Sequence, residues 1–372
     1  MIQRWIYEGE LDDPFNEFFV VINTEKSEDD NLWRNKYSLR GDMVPTYMPK
    51  ALAKKIFLIG KSLNFIRHSC KDADIARVSP DIQSLVYGDI KRTENAVNAV
   101  YKASSHRLSV VLFGKYKLLE HLRAIKGFLL LGRGDFVEYL MDTLTAKLSQ
   151  PATTIYRHNL TGILETAIRA CSTQNEDPAI LARLDVRLLE ASSGDSGWDI
   201  FALEYHVDSP LTTILSPTTM QAYQKLFSFL WRVKRTEHML TQAWRRQMNQ
   251  RGKYLNLCNP MRTLMRQSCL FVSEMMQFVS QLQHYILFEG IESSWTLLQT
   301  FFSEHCECDL DELILAHNRY INRITVKALM VNGNQVEITR QLLKLFDVVG
   351  RFEGVQVGLF WFADIEVGVF LG

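Results

Sequence analysis

The feature that most constrains the fold is a long helical pattern that begins at Ser216 and carries two apolar stripes. The first stripe consists of Leu226, Leu230, Val233, Leu240 and Trp244, and the second of Tyr223, Phe227 and Trp231. Ser216 and Pro217 are a typical N-cap and first helical residue. A helix that is apolar on two sides needs neighbours on both, so this segment predicts the centre of a helical bundle.

Helical periodicity recurs on both sides of this segment. Apolar residues at alternating intervals of four and three form a stripe at Leu52, Ile56, Ile59, Leu63 and Ile66. The same spacing returns at Phe271, Met275, Phe278, Leu282 and Ile286. Asp309 with Glu312 three residues later is a capping-box pattern that begins one more helix. We therefore predict an all-α fold of successive helical bundles with short β-hairpin insertions.

Two short regions alternate with the period of a strand instead. Residues 4–11 and 18–23 flank a Pro-containing turn, and we expect them to pair with each other. A second hairpin is predicted around residues 201–207, with its apolar side chains turned toward the helices; these are Phe201, Leu203, Tyr205 and Val207. The Ser- and Gly-rich stretch 192–197 before it supplies the positive-φ positions that a tight connection needs.

The charge balance and the cysteines argue against several classes of protein. Lys and Arg together number 42, as do Asp and Glu, so the net charge is zero, whereas binding to nucleic acid or anionic membranes needs a basic surplus. The six cysteines form no C-x-x-C pair, which favours a reduced, cytoplasmic setting. The chain begins without the apolar core of a signal peptide, and Asp364 and Glu366 interrupt its apolar C-terminal stretch. We expect a soluble protein that binds neither nucleic acid nor membranes.

Two glycine-containing motifs resemble nucleotide sites but lack essential residues. The "IGKSLN" motif (59–64) resembles the end of a P-loop, yet Lys55 occupies the position where that loop needs a glycine. The "GRGD" motif (132–135) lacks the third glycine of the dinucleotide fingerprint, because Val137 stands there. A break between two helices is the better interpretation of "GRGD". We expect no cofactor.

The strongest candidates for chemistry are a soft-ligand cluster and one carboxylate. The "HCEC" motif (305–308) offers His and Cys ligands, but the sequence contains no second half-site for zinc. Glu237 lies inside the apolar stripe after Ser216, where it is a general base, a structural partner of an arginine on a neighbouring helix, or a residue at the solvent-exposed edge of the stripe. No G-x-S-x-G motif is present. We therefore expect no catalytic or metal site, and keep an enzyme based on Glu237 or on "HCEC" as an alternative.

Longer strings occur in a fixed order along the chain. Among them are "KYSLRGDMVPTYMPKALAKKIFLIGKSLNFIRHSC", "LLLGRGDFVEYLMD", "PATTIYRHNLTGILETAIRA" and "RLDVRLLEASSGDSGWDIFALEYHVDSP". Together they resemble the gamma-tubulin complex proteins, the GRIP-motif family. The forms "LIGKSLNFI" and "PATTIYRHNLTGILETAIRA" favour the component-three type. The resemblance extends from about residue 4 to about residue 330.

The resemblance implies helical bundles in two regions and no catalytic activity. Residues 1–115 resemble the last part of the GRIP1 region, which contacts other complex components laterally; these contacts are expected to be weakened because the earlier part is not in the chain. Residues 116–350 resemble the GRIP2 region, which binds gamma-tubulin, without its closing helices. Residues 351–372 are expected to be an atypical tail. The implied location is the cytoplasm and cytoskeleton, at a microtubule-organising centre or spindle pole.

We expect the gamma-tubulin surface to be an exposed patch that combines arginine and aromatic anchors, since tubulins are acidic. The candidate residues are Arg157, His158, Asn159, Asp195, Trp198, Asp199, Arg232 and Arg235. Structural roles remain open for several of them: Asn159 as a helix cap, Trp198 as a core residue, and the arginines as ion-pair partners of acids such as Glu237. The implied function is a non-catalytic scaffold for microtubule nucleation. The alternatives are a general helical adaptor, or a truncated form without function.

Overall fold

The computed structural model describes most of the 372-residue chain, in the ranges 1–23, 32–71, 90–172, 176–192, 194–250, 259–304, 308–328 and 334–371. These residues are mainly helical and contain two short antiparallel strand pairs, which confirms the predicted fold class. Within the same ranges, no helix has the length and apolar character needed to cross a membrane.

The helices and strands follow one another without a repeating unit. In chain order the helices are α1 Ile2–Tyr7, α2 Leu32–Asn35, α3 Lys50–Asn64, α4 Ile90–Val110, α5 Leu118–Phe128, α6 Gly134–Leu148, α7 Arg157–Ala170, α8 Pro178–Leu181, α9 Gly197–Ile200, α10 Pro217–Gln250, α11 Asn259–His284, α12 Ser293–Glu304, α13 Leu310–Lys327 and α14 Asn334–Leu371. The strands are β1 Val20–Ile22, β2 Tyr37–Leu39, β3 Leu184–Leu188 and β4 Phe201–Tyr205. Segments of π-helix extend α3 and α4 and join α11 to α12; they are Phe65–Ser69, Val111–Lys115 and Tyr285–Glu292.

The chain divides into two compact units. The first unit comprises residues 1–123, 206–220 and 297–320, and the second comprises residues 124–205, 221–296 and 321–372. Each of the eight candidate contact residues belongs to the second unit. The candidate surface can therefore be described within the second unit alone.

In the first unit, the predicted pairing of residues 4–11 with residues 18–23 is wrong. Residues 2–7 form helix α1, and β1 pairs instead with β2, with Val20 opposite Leu39. The neighbouring residues Trp5 and Ile6 are both buried, which a strand with one buried face does not allow. The Trp5 indole N–H donates a hydrogen bond to the carbonyl of Ile56 at 2.9 Å. This contact with α3, distant in sequence, decides the conformation of the first residues.

Helix α3 explains the glycine and the lysine of the "IGKSLN" motif. Its predicted apolar stripe is confirmed, because all five of its residues are buried. Trp5 lies so close to Gly60 that a Cβ atom there would be 2.1 Å from the indole ring. The Lys61 amine lies 4.1 Å from the centre of the Trp33 ring and 3.9 Å from Asp311. Burial lowers the pKa of Lys61, and the carboxylates of Asp311 and Asp309 oppose that shift. Gly60 and Lys61 thus have packing roles inside a helix.

Helix α10 has the two buried stripes that its sequence predicts. Every member of both stripes is buried except Trp244, which is 42% exposed. The helix begins as expected, because the backbone N–H of Thr219 donates to the Ser216 hydroxyl at 3.4 Å. The aromatic stripe is stacked along the helix, with the rings of Phe227 and Trp231 5.6 Å apart and nearly parallel.

The predicted stripe of α11 is only partly covered: Ile286 is buried, and Met275 and Leu282 are half-buried. Phe271 and Phe278 are 55% and 43% exposed, whereas Val272 and Val279, each one residue later, are buried. The helix is apolar on two adjacent faces, so its periodicity does not determine which face is covered. The exposed face carries large apolar residues at intervals of seven, namely Leu264, Phe271, Phe278 and Tyr285.

Candidate functional site

The strand pair β3–β4 supports the candidate surface. Leu184 lies opposite Tyr205, and Leu188 lies opposite Phe201. Phe201, Leu203 and Tyr205 are buried, which confirms the predicted face, while Val207 lies beyond the end of β4. Burial raises the pKa of the Tyr205 hydroxyl. The apolar face of the hairpin therefore anchors it to the second unit, and its polar face is left for other contacts.

The connection between the two strands is held by its own acidic side chains. The Asp195 carboxylate accepts a hydrogen bond from the backbone N–H of Ser192 at 2.8 Å. Gly194 has a φ of 101°, which confirms the predicted positive-φ position. Asp199 and Ser196 form a capping box at the start of α9. Both carboxylates therefore stabilise the local backbone.

The same connection is tied to the loop between α6 and α7. The backbone N–H of Gly197 donates to the carbonyl of Gln150 at 3.1 Å, and that of Ala152 donates to the carbonyl of Asp195 at 3.0 Å. A Cβ atom at Gly197 would lie 2.2 Å from Ile155 and 2.9 Å from the backbone of Leu148. Glycine is needed at position 197 because the two backbones approach so closely.

Four of the predicted residues form one cluster, which we call the arginine cluster; it consists of Trp198, Asp199, Arg232 and Arg235. The Asp199 carboxylate lies 3.6 Å from the guanidinium of Arg232 and 3.9 Å from that of Arg235. The guanidinium carbon of Arg235 lies 5.2 Å from the centre of the Trp198 ring, a cation–π distance. The structure thus brings the hairpin residues and the α10 arginines together, as a shared site would require.

The side chains of the arginine cluster differ in exposure and in charge. Trp198 is only 7% exposed, and its ring lies 6.0 Å from that of Trp231. The alternative prediction, that Trp198 is a core residue, therefore agrees with its burial. Burial lowers the pKa of the Arg235 guanidinium, and Asp199 is the main charge that opposes this shift. Two guanidinium groups share the Asp199 carboxylate, and both retain solvent exposure.

The other predicted residues lie at the start of α7, in what we call the α7 edge; it consists of Tyr156, Arg157, His158 and Asn159. All four are exposed, and the Tyr156 ring stacks on that of His158 with a 5.8 Å separation between ring centres. Arg157 pairs with Asp185 of β3 at 2.5 Å. Tyr156, Arg157 and His158 line an open groove together with four other residues, namely Thr161, Gly162, Glu165 and Asp185. The alternative of Asn159 as a helix cap is wrong, because Tyr156 is the N-cap.

The arginine cluster and the α7 edge are two patches, at opposite ends of the β3–β4 pair. Asp185, the partner of Arg157, lies opposite Glu204, near the end of β4. Asp199 lies two residues before the start of β4, where Phe201 lies opposite Leu188. The strand pair extends over four residue steps from Leu184 to Leu188, so at about 3.4 Å per residue its two ends lie about 14 Å apart. Asp195 lies in the connection between the strands and is engaged with Ser192.

Sequence reasoning missed Tyr156 and Asp185, which complete the α7 edge. Tyr156 directly precedes Arg157, and at 60% it is among the more exposed aromatic residues. Asp185 and Arg187 alternate with the buried or half-buried residues Leu184, Val186 and Leu188. This polar alternation on β3 was the signal that could have identified the strand and its outward carboxylate.

Glu237 has a structural environment. Its carboxylate accepts hydrogen bonds from the amine of Lys234 at 2.8 Å and from the side-chain amide of Gln283 at 2.6 Å. The predicted pairing with an arginine is wrong, because Lys234 and Gln283 are its observed partners, whereas the alternative of a place at the solvent-exposed edge of the stripe is confirmed by a side chain that is 40% exposed. The Gln283 contact links α10 to α11, which accounts for a polar residue inside an apolar stripe.

The remaining motifs form no site among the residues that the structure describes. In the "GRGD" motif, the break between α5 and α6 is confirmed; Arg133 pairs with Glu176 there, and its guanidinium lies over the Phe128 ring. His305 and Cys306 of the "HCEC" motif lie outside the described residues, and Cys308 is buried. The described part of the chain contains no group of three or more His, Cys, Asp or Glu residues arranged to hold a metal ion.

Comparisons with known proteins match nearly the whole chain. The family model described as gamma tubulin complex component C-terminal matches residues 118–366, and the corresponding N-terminal model matches residues 1–115. Both the arginine cluster and the α7 edge lie inside the C-terminal match. That match continues past residue 350, where the sequence analysis placed the start of an atypical tail.

Individual relatives align over the same range. The gamma-tubulin complex component 3 homolog of Xenopus laevis is 41% identical over 96% of this chain, and the human gamma-tubulin complex component 3 is 40% identical over 96%. The spindle pole body component alp6 of Schizosaccharomyces pombe is 43% identical over 95%. The aligned part is 40%, 40% and 44% of these relatives, respectively, so the chain spans less than half of their length.

Proposed function

This chain belongs to the gamma-tubulin complex component family, and from that premise we propose that it is a non-catalytic scaffold that binds gamma-tubulin and supports microtubule nucleation. The names of its relatives support this proposal, since they are complex components and spindle pole body components. They also support a location in the cytoplasm and cytoskeleton, at a microtubule-organising centre or spindle pole.

The observation that carries the proposal is the position of the two exposed patches inside the C-terminal family match. The α7 edge presents a tyrosine, an arginine and a histidine that are exposed together. Arginine and tyrosine are the residue types that most often anchor protein interfaces. The arginine cluster adds two partly exposed guanidinium groups, which suit an acidic partner such as a tubulin.

The division of labour along the chain is part of the proposal. We propose that residues 1–115 contact other components of the complex and that gamma-tubulin binds to the region that begins at residue 116. The boundary lies close to the junction between the two family matches, at residues 115 and 118. A fragment that ends at residue 115 is expected to retain contact with other components and to lose gamma-tubulin binding.

A binding measurement on the whole purified chain tests the proposal. Arg157→Glu is expected to weaken gamma-tubulin binding about tenfold, which is typical of a central interface residue. Arg169→Glu is the matched control, because its side chain lies at the other end of α7, is 82% exposed and pairs with Glu165 one turn away. Equal affinity of both variants would remove the α7 edge from the interface. A chain that is folded by circular dichroism and binds no gamma-tubulin would overturn the proposal.

A general helical adaptor is the second candidate, and one observation favours it. The exposed apolar face of α11 carries Leu264, Phe271, Phe278 and Tyr285 along one line, which resembles a seam for another helix. Competition between gamma-tubulin and an amphipathic helix of unrelated sequence separates the two candidates. A scaffold specific to gamma-tubulin prefers its partner strongly, whereas a general adaptor binds both with similar affinity.

A further inference from the structure

Helix α14 contacts the second unit through a narrow edge. Between residues 337 and 359, its buried residues are Phe346, Val349 and Gln356. Five other large apolar residues of the same stretch are exposed, namely Ile338, Leu345, Val348, Val355 and Val357, and Leu342, Leu343 and Phe352 are half-buried. Only two large apolar side chains of this stretch are fully buried, so α14 gains less from burial than a core helix does and is attached less firmly.

The docked edge of α14 meets a basic stripe of α10. Glu353 pairs with the guanidinium of Arg246 at 3.0 Å. Gly350, three residues before Glu353 on α14, lies against Met239 of α10. A Cβ atom at position 350 would be 3.6 Å from the methionine methyl. Burial lowers the pKa of Arg235, and the carboxylates of Asp347 and Glu353 are among the charges that oppose this shift.

The stripe of α10 that meets α14 has the spacing of a helix-binding surface. Its residues lie four and seven apart, with an apolar residue between two cations: Arg235, Met239 and Arg246. Such a stripe fits a helix that carries carboxylates on both sides of a small residue. The matching residues of α14 are Asp347, Gly350 and Glu353.

A buried polar layer lies beside this contact. The side-chain amides of Gln247 and Gln356 both donate to the Ser268 hydroxyl at 3.3 Å, and all three residues are buried. The Gln247 amide oxygen has no hydrogen-bond partner among the described residues. A buried polar atom without a partner destabilises the state in which α14 is docked. When α14 is undocked, water can reach that atom and bond to it. The layer aligns α14 with α10 and α11 without holding it tightly.

We propose that the stripe Arg235–Met239–Arg246 is a receptor for a helix with an acidic edge and that α14 is its intramolecular occupant. The stripe shares Arg235 with the arginine cluster. An acidic protein partner that uses Arg235 and Arg246 therefore competes with α14. This last consequence rests on the proposed function, whereas the receptor and its occupant do not.

Charge reversal tests the docking of α14 directly. Glu353→Lys is expected to raise the hydrogen-exchange rate of residues 337–359 about fivefold, because it replaces an attraction to Arg246 by a repulsion. Arg246→Glu is expected to do the same, and the double variant with both changes is expected to restore protection. Glu337→Lys is the matched control, because Glu337 makes its contacts within α14, with Arg340 and Gln341. Equal exchange in all of these variants would overturn the inference.

A peptide of residues 337–359 with the wild-type sequence tests the receptor. The Glu353→Lys chain is expected to bind it up to about fivefold more tightly than the wild-type chain does, because its own α14 leaves the stripe about fivefold more often. The Arg246→Glu chain, which has also released α14, is expected to bind it more weakly than the Glu353→Lys chain. Equal binding by the Glu353→Lys and Arg246→Glu chains overturns the inference. Gamma-tubulin is measured separately: its failure to bind any chain would overturn the proposed function alone.

Discussion

The guanidinium of Arg235 lies over the indole of Trp198, with 5.2 Å between the guanidinium carbon and the ring centre. The arginine belongs to the long helix α10, and the tryptophan belongs to the short helix α9 that precedes β4. A nearly buried aromatic ring thus supports a cation that remains partly exposed. The contact joins the hairpin to the bundle and fixes the position of the arginine cluster.

Loss of the Trp198 side chain is expected to destabilise the protein. Trp198→Ala removes a buried ring that packs against Trp231, so we expect the free energy of unfolding to fall by about 3–5 kcal/mol. Urea denaturation followed by circular dichroism measures the change. Tyr156→Ala is the control, because Tyr156 is exposed, and it is expected to change stability by less than about 0.5 kcal/mol. A similar small loss for Trp198→Ala would show that the ring has no packing role.

Two helical glycines are expected to respond in opposite directions to alanine. At Gly60 a Cβ atom would lie 2.1 Å from the buried Trp5 ring, and we expect Gly60→Ala to cost about 2 kcal/mol or more. At Gly162 nothing lies within 4 Å of the added atom, so Gly162→Ala is expected to stabilise α7 by about 0.8 kcal/mol. Thermal or urea unfolding of both variants gives the comparison. Equal effects at the two positions would contradict the close packing of Trp5 on α3.

The contrast between α1 and α10 shows what sequence patterns determine here. The two stripes of α10 were predictable, because they recur over many turns and leave a buried helix as the only arrangement. Residues 4–11 alternate like a strand, but their conformation depends on Trp5 reaching Gly60, a contact that no local pattern contains. The sequence pattern of α11 is limited in the same way. The helix has two adjacent apolar faces of similar chemistry, so the pattern does not determine which of them is buried.

The candidate site shows the same division between local and distant information. The positive φ of Gly194 and the capping box of Ser196 and Asp199 follow from residue types within a short stretch. The approach of Arg235 to Trp198 depends on how α10 packs against the hairpin, and residue types do not encode that. The sequence strings that resemble the family place Arg235 and Trp198 in the same region of the chain. Only the structure shows that the two side chains are in contact.

The buried His317 is expected to make stability depend on pH. Desolvation lowers its pKa from 6.5 to about 4, so between these values the unfolded state binds a proton that the folded state does not. The contribution of neutral His317 to the free energy of unfolding is therefore fully present above about pH 6.5. It is lost as the pH decreases toward 4, and the loss from this group is about 3 kcal/mol in total. Urea unfolding at several pH values measures the slope. His317→Gln is expected to remove this part of the slope, and the exposed His158→Gln to leave it unchanged.

Asp199 restrains the two arginines, so its neutralisation is expected to strengthen gamma-tubulin binding. Asp199→Asn removes the carboxylate that Arg232 and Arg235 share, which leaves both guanidinium groups available to an acidic partner. We expect a severalfold increase in affinity, of the size of an exposed ion pair, with helical content unchanged by circular dichroism. Asp195→Asn is the control, because Asp195 bonds Ser192 within the connection, and it is expected to leave affinity unchanged. A lower affinity for Asp199→Asn would show instead that the carboxylate itself contacts gamma-tubulin, and an unchanged affinity would restrict Asp199 to holding the hairpin.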